Sequence, residues 1–121
     1  KDLPGFIGVQ ATFVNPIEKA WATNTEVIPV KNITTVASAC NVSSPLDGKL
    51  TLDVIRKTRG CVVSATDEEI LKAQDFLAKK EGLYVEATAA ATLAGFINIQ
   101  KQFKNKKIVL ILTGSGLKER R

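Results

Sequence analysis

The chain closes on the stretch VLILTGSGLKERR (Val109–Arg121), and this stretch decides the fold. Five consecutive apolar residues, Ile108–Leu112, lead into Thr113, a glycine-rich turn and a basic tail. A continuous apolar run of this length is typical of a strand in a parallel sheet that is covered on both faces. The pattern leaves two interpretations of Thr113: it ends a strand, or it presents its hydroxyl to a ligand.

Candidate strands alternate with candidate helices along the rest of the chain. Short strands are predicted over Phe6–Val14, Cys61–Ala65 and Leu83–Glu86. Helices are predicted between them, over residues 15–24, 49–59, 66–82 and 87–103. This alternation predicts an α/β fold with an open, mostly parallel sheet and helices on both faces. We expect Phe6–Ala11, Leu83–Val85 and Ile108–Leu112 to lie in one sheet.

The clearest helix is TDEEILKAQDFLAKKEG (Thr66–Gly82). Thr66 and Glu69 have the spacing of a capping box, in which each side chain binds a free backbone amide at the helix start. Gly82 is a helix-ending residue, because glycine adopts the left-handed conformation without strain. The inward stripe is Ile70, Ala73 and Leu77, and the expected surface ion pairs are Glu68–Lys72 and Asp75–Lys79.

The other helices carry weaker signals. Asn15 is a good N-cap and Pro16 suits the first helical position. The helix over 49–59 is expected to end at Gly60 and to bury Leu50, Val54 and Ile55. The helix over 87–103 is small or apolar on nearly every side, which predicts burial on most of its surface.

Composition limits the classes of function. The 121 residues are 45% hydrophobic, which suits one domain, or one sizeable piece of a domain, with a real core. There is no histidine and only two cysteines, Cys40 and Cys61, so we expect buried thiols in a reducing compartment and no metal site. The net charge of +5 comes with few aromatic residues, which disfavours a nucleic-acid interface, and no apolar run is long enough for a membrane span.

Ligands of open parallel sheets bind outside the carboxyl ends of the strands. Glu86 follows the predicted strand Leu83–Val85, and Thr113 follows Ile108–Leu112. Because parallel strands end at the same edge of a sheet, we expect this carboxylate and this hydroxyl to converge on one ligand.

Several stretches resemble one enzyme family, in the same order along the chain. They are GVQA (Gly8–Ala11), TTVASACNVSSP (Thr34–Pro45), DEEILKA (Asp67–Ala73), EGLYVEATAAATLAGF (Glu81–Phe96) and VLILTGSGLK (Val109–Lys118). Together they resemble the C-terminal part of threonine synthase, within the pyridoxal-phosphate-dependent group that includes tryptophan synthase β and the serine/threonine dehydratases. LTGSGLK is the most specific of these motifs.

The resemblance implies a pyridoxal-phosphate site. It implies that the Thr113 hydroxyl binds the pyridine nitrogen of the cofactor, with Gly114 and Gly116 letting the backbone approach the ring. It implies that Glu86 lies near the ring and its 3-oxygen, while a helix-start carboxylate is the structural alternative. Thr88 is expected to be a helix N-cap. A neutral hydroxyl at the ring nitrogen suits elimination and replacement chemistry on amino acids.

The resemblance also implies a function for a longer parent protein. That protein would convert O-phosphohomoserine and water into threonine and phosphate. A serine/threonine dehydratase is the alternative enzyme, and a non-catalytic binding module is the alternative of another class. No lysine here matches the family's Schiff-base motif, and the chain begins with Lys1. We therefore expect residues 1–121 to be the C-terminal part of a cofactor-binding domain, cytoplasmic, homo-oligomeric and inactive alone, with no catalytic residue of its own.

Overall fold

Two parallel strands form the centre of the structure, a computed structural model that describes residues 3–31 and 34–118. Strand β1 (Ile7–Ala11) pairs with strand β2 (Cys61–Ala65), and Ile7 lies opposite Cys61 in the register. Parallel neighbours require a crossover, and residues 12–60 supply it. The α/β class and the open parallel sheet predicted from the sequence are confirmed.

In the described part of the chain, four helices surround this sheet; three contact it, and the longest packs mainly on another helix. Their bounds are α1 (Pro16–Thr23), α2 (Gly48–Lys57), α3 (Asp67–Glu81) and α4 (Ala87–Ile99). Short 3₁₀ turns cover Ser38–Cys40, Gln100–Phe103 and Gly116–Lys118. In the described ranges no helix combines the length and the apolar character that a bilayer crossing requires.

Helix α4 forms the middle of the core, as its composition predicts. Its small residues let other backbone come close, and Gly95 is the sharpest case: a Cβ there would lie 2.6 Å from Cγ1 of Val9 on β1. The buried cluster joins α4 to both strand ends and to α3. Burial of these apolar side chains is the main stabilising contribution to a fold of this size. Its members include Ala11, Ala65, Ile70, Ala73, Leu77, Ala90 and Ala94.

Helix α3 matches its sequence signals closely. Thr66 Oγ1 accepts a hydrogen bond from Glu69 N, and the Glu69 carboxylate accepts one from Thr66 N at 2.7 Å. Gly82 adopts the left-handed conformation with a φ of 67°. Both expected surface ion pairs form, Glu68–Lys72 at 2.6 Å and Asp75–Lys79 at 2.8 Å.

Helices α1 and α2 differ from prediction. The Asn15 side chain does not cap α1; Oε1 of Gln10 on β1 does, accepting from Ile17 N and Glu18 N, both at 3.0 Å. Helix α2 buries Leu52 and Ile55, while Leu50 is 62% exposed. Ile55 is therefore inward as predicted, whereas Leu50 and Val54 are exposed and Leu52 is buried in their place.

Two of the three strands expected to share a sheet do not form in the described residues. Leu83–Val85 is not a strand, and Val85 makes a single antiparallel bridge to Ser115. Ile108–Leu112 pairs with no strand. Its burial alternates with the period of a β-strand, and Val109 and Ile111 are 79% and 68% exposed. The prediction was wrong because a doubly apolar strand needs neighbours on both sides, and no described segment supplies them.

Candidate functional site

Glu86 is the centre of the candidate site. It stands between Val85 and α4 as the N-cap residue of that helix, and its side chain is 19% exposed. Its backbone N donates to Gly114 O at 3.1 Å, which ties the start of α4 to the glycine-rich turn. A carboxylate in this place is also favoured by the positive end of the helix dipole.

The glycine-rich turn is packed directly on Glu86. A methyl group on Gly114 would overlap Oε1 and Cδ of the Glu86 side chain, so only glycine fits there without a shift. Gly116 N donates to Tyr84 O at 3.0 Å, and a Cβ on Gly116 would lie 2.8 Å from the Tyr84 ring. Both positions need glycine because the side chains of Glu86 and Tyr84 lie where a Cβ would be. Neither glycine has a positive φ.

Thr113 directly precedes this turn and is exposed. Among the residues that the structure describes, its hydroxyl has no hydrogen-bond partner, so it is free to bind a ligand. Gly114, the next residue, binds Glu86 N through its carbonyl, so Thr113 and Glu86 lie in adjoining segments, and their convergence on one ligand stays a prediction. An antiparallel bridge between Val85 and Ser115 joins the two segments, and parallel strand ends do not.

Two charged or ionisable groups flank the Glu86 carboxylate. Lys118 Nζ lies 3.7 Å from Glu86 Oε2, and its side chain is 66% exposed. Such a long, exposed ion pair contributes little to stability, about 0–1 kcal/mol in comparable pairs. On the inner side, burial and then the Glu86 charge raise the pKa of the Cys40 thiol. Cys40 is therefore a protonated, half-buried thiol at neutral pH.

The segment 35–40 is held at two points, one at the start of α3 and one on α4. The Asp67 carboxylate, at the start of α3, accepts from Val36 N at 3.2 Å and from the Thr35 hydroxyl. Thr88 Oγ1 accepts from Ala39 N at 3.2 Å. Thr88 is thus the second residue of α4 and binds a neighbouring segment, so the prediction that it caps the helix was wrong.

Gln74 is a positioning residue that the sequence analysis missed. It is 2% exposed on α3, and its Nε2 donates to Val85 O at 2.8 Å. A buried amide needs such a partner, and the bond fixes the residue that precedes Glu86. A signal existed: Gln74 follows Ile70 by four residues, so a polar side chain stands on the apolar stripe of the helix. Cys40 and Lys118 carried no comparable signal.

The donor set fits one edge of a pyridoxal-phosphate ring. A free hydroxyl can donate to the ring nitrogen, which accepts a hydrogen bond, and a half-buried carboxylate suits a polar ring substituent. Glycine at position 114 leaves the space beside the turn to the Glu86 side chain, which packs directly on it. Thr113, Gly114 and Glu86 therefore remain the residues expected to hold that edge of the cofactor.

Comparison with known proteins gives the family. The family model described as pyridoxal-phosphate dependent enzyme matches residues 1–114. Threonine synthase of Methanocaldococcus jannaschii is 37% identical over 98% of this chain, and that of Methanosarcina acetivorans is 38% identical over 97%. The chain spans 30% of the length of each of these two relatives.

Solved structures agree on the fold. The crystal structure of a T.th. threonine deaminase matches 90% of this chain with a TM-score of 0.74 and 20% identity, over 36% of its own length. Maize serine racemase matches 91% with a TM-score of 0.74 and 18% identity, over 34% of its own length. The family's description confirms the cofactor predicted from the sequence. The chain belongs to the family of pyridoxal-phosphate dependent enzymes.

Proposed function

We propose that this chain is the C-terminal part of the cofactor-binding domain of a threonine synthase. The observation that carries the proposal is the 37–38% identity to two archaeal threonine synthases over nearly the whole chain. The reaction would turn O-phosphohomoserine and water into threonine and phosphate, in the cytoplasm and in a homo-oligomer. Pyridoxal phosphate, when bound, supplies the electron-withdrawing ring on which such lyase chemistry on amino acids depends.

This chain's own residues hold and orient that ring. The Thr113 hydroxyl, free of other partners in the described structure, donates to the pyridine nitrogen. The carboxylate of Glu86 faces the ring near its 3-oxygen, and Lys118 at 3.7 Å partly balances its charge. Gly114 lets the turn pack on Glu86, which keeps hydroxyl and carboxylate close together.

The test is the activity of the full-length protein encoded by the gene. Purified protein with pyridoxal phosphate is given O-phosphohomoserine, and phosphate and threonine are both measured. Serine and threonine are assayed in parallel for release of ammonia. Phosphate and threonine in equal amounts support the proposal. Ammonia release with no threonine formed would instead favour a serine/threonine dehydratase, and no turnover would favour a binding module.

The same protein tests the role of Thr113. Thr113→Val keeps the shape and removes the hydrogen bond, which leaves a buried acceptor unpaired at a cost of roughly 1–3 kcal/mol. If the lost hydrogen bond raises the free energy of the transition state by that amount, turnover falls about tenfold to a hundredfold. Thr113→Ser keeps the hydroxyl and is expected to be mild. Thr51→Val on α2 is the matched control, and equal activity of both Val variants would refute the role.

We further propose that residues 1–121 alone do not attach the cofactor covalently, because no lysine in them matches the family's Schiff-base motif. The purified chain is incubated with pyridoxal phosphate, reduced with borohydride and digested for mass spectrometry. The expected result is only scattered, substoichiometric labelling of exposed lysines. Stoichiometric labelling of one lysine would contradict the proposal.

A further inference from the structure

A concave site lies outside the group of residues around Glu86. It is a cavity of about 400 Å³ between the segment 25–29, the segment 44–46 and helix α2. None of its lining residues belongs to the candidate cofactor site. Small-molecule sites in proteins begin at about 300 Å³, so the cavity has room for a ligand with roughly ten non-hydrogen atoms.

The walls of this cavity are fixed to one another. Val30 N donates to Ser43 O at 3.0 Å, which ties the two wall segments together. Gly48, the first residue of α2, packs on Val27, and a Cβ there would lie 3.0 Å from Cγ2 of Val27. These contacts fix the shape of the cavity before any ligand binds, which reduces the entropic cost of binding.

Charges of both signs line the cavity. Lys49 and Arg56 contribute two positive charges, and Nη2 of Arg56 is held by Thr25 O at 3.3 Å. Glu26 and Asp53 contribute two negative charges. In the part of the chain that the structure describes, the side chains of Lys49, Glu26 and Asp53 form no hydrogen bond or ion pair. Their charges are therefore available to a ligand.

Most of the remaining lining is apolar, apart from the hydroxyl residues Thr25 and Ser44. Leu52 is 2% exposed at the α2 wall, and the other apolar members are Val27, Pro29, Pro45 and Leu46. A ligand that suits this lining carries one positive group, one negative group and a small aliphatic body. A polyphosphate would face the two carboxylates, and a purely apolar ligand would bury charges without partners, which is unfavourable.

We propose that this cavity binds a small aliphatic α-amino acid. The ligand ammonium pairs with Asp53 and Glu26, and its carboxylate pairs with Lys49 and Arg56. Its side chain packs on the accessible apolar members of the lining, which are Val27, Pro29, Pro45 and Leu46. Charge-assisted hydrogen bonds of this kind are the stronger ones in proteins. The site is independent of the proposed cofactor site and does not require the chain to be part of an active enzyme.

The probe is L-leucine, added to the purified 121-residue chain and followed by saturation-transfer NMR and titration. A ligand of this size in a half-open site binds with a dissociation constant on the order of 1 mM. Leucinamide, which lacks the carboxylate, and 4-methylpentanoate, which lacks the ammonium, are expected to bind at least fivefold more weakly. Equal binding of the three compounds, or no binding of leucine at 20 mM (about twenty times the expected constant), would overturn the proposal.

Variants locate the binding. Asp53→Asn and Lys49→Gln each remove one charge from the lining and are expected to weaken leucine binding about threefold to tenfold. Lys57→Gln on the same helix is the matched control, since Lys57 does not line the cavity. Glu86→Gln tests the other site and is expected to leave leucine binding unchanged. Weakening by Glu86→Gln and not by the cavity variants would overturn the proposal. Circular dichroism confirms that each variant stays folded.

Discussion

The segment 61–82 and the segment 108–118 behave in opposite ways. The first, β2 followed by α3, forms as its sequence predicts, down to the capping box and the terminal glycine. The second contains a longer unbroken run of apolar residues than the first, yet it forms no strand in the described structure. Helix signals are satisfied within about four residues, whereas an apolar strand is satisfied only by neighbours distant in sequence. A helix signal can therefore be satisfied by nearby residues, whereas an apolar strand forms only where other segments pair with it.

The largest expected contrast is between two identical substitutions. Ile70→Ala on α3 empties a fully buried position and is expected to lower the free energy of unfolding by about 2–4 kcal/mol. Ile111→Ala removes a side chain that is 68% exposed and is expected to change it by less than about 0.5 kcal/mol. Urea unfolding of the 121-residue chain measures both.

A concentration series is the control for this pair. If Ile111→Ala proves as costly as Ile70→Ala and the cost grows with protein concentration, the exposed face of 108–112 is covered by self-association. That result would support the homo-oligomer predicted from the sequence. An equal cost at every concentration would mean that the segment is buried within one chain, which contradicts the described structure.

The next contrast is between two glycines. Gly114→Ala places a methyl group on the Glu86 side chain, which must move aside, and is expected to cost about 1–3 kcal/mol. Gly82→Ala has free space around it, yet its φ of 67° is strained for alanine and costs about 1 kcal/mol. Gly82→Asn, which tolerates that φ, is expected to be milder. Thermal unfolding ranks the three variants, and a cost for Gly114→Ala no larger than that for Gly82→Asn would remove the steric argument.

The capping box gives a pH-dependent prediction. The bond from Thr66 N lowers the pKa of the Glu69 carboxyl, so its contribution to stability is present above the unfolded pKa of about 4.3 and is lost as the pH falls through the folded pKa. Glu69→Gln is expected to be less stable than the parent at pH 6 and to match it more closely near pH 3 (roughly one unit below that reference value). Unfolding curves at both pH values measure the difference. A constant difference would contradict the assignment.

The smallest effect compares two thiols. The Glu86 charge contributes to the raised pKa of Cys40, whereas burial alone raises the pKa of Cys61. Glu86→Gln is therefore expected to move the pH profile of Cys40 alkylation to lower pH and to leave that of Cys61 unchanged. Mass spectrometry of the two labelled peptides measures both in one sample. A shift in both profiles would indicate a general loosening of the fold.

The sequence predicted those features that depend on near neighbours or on motif order. The α/β class, both strands of the sheet and the ends of α3 were predicted correctly, whereas the convergence of Glu86 and Thr113 on one ligand stays a prediction. The capping of α1 by Gln10 was not, because the donor amides lie seven and eight residues further along in a different element. The exposure of Leu50 was not predicted, because hydrophobic spacing alone does not say which side of a helix meets the sheet.

Gln10 has a consequence for how the two strands align. It lies opposite Ser64 in the register, and α1 holds both: Gln10 Oε1 caps the helix, and Glu18 Oε1 accepts from Ser64 N at 3.1 Å. A slip of β1 by one residue would turn Gln10 toward the core, bring Val9 or Ala11 to the helix end and leave its first amides unbound. The start of α1 therefore selects one register of the sheet. A pairing shifted by one residue loses both the helix cap and the burial of its apolar face.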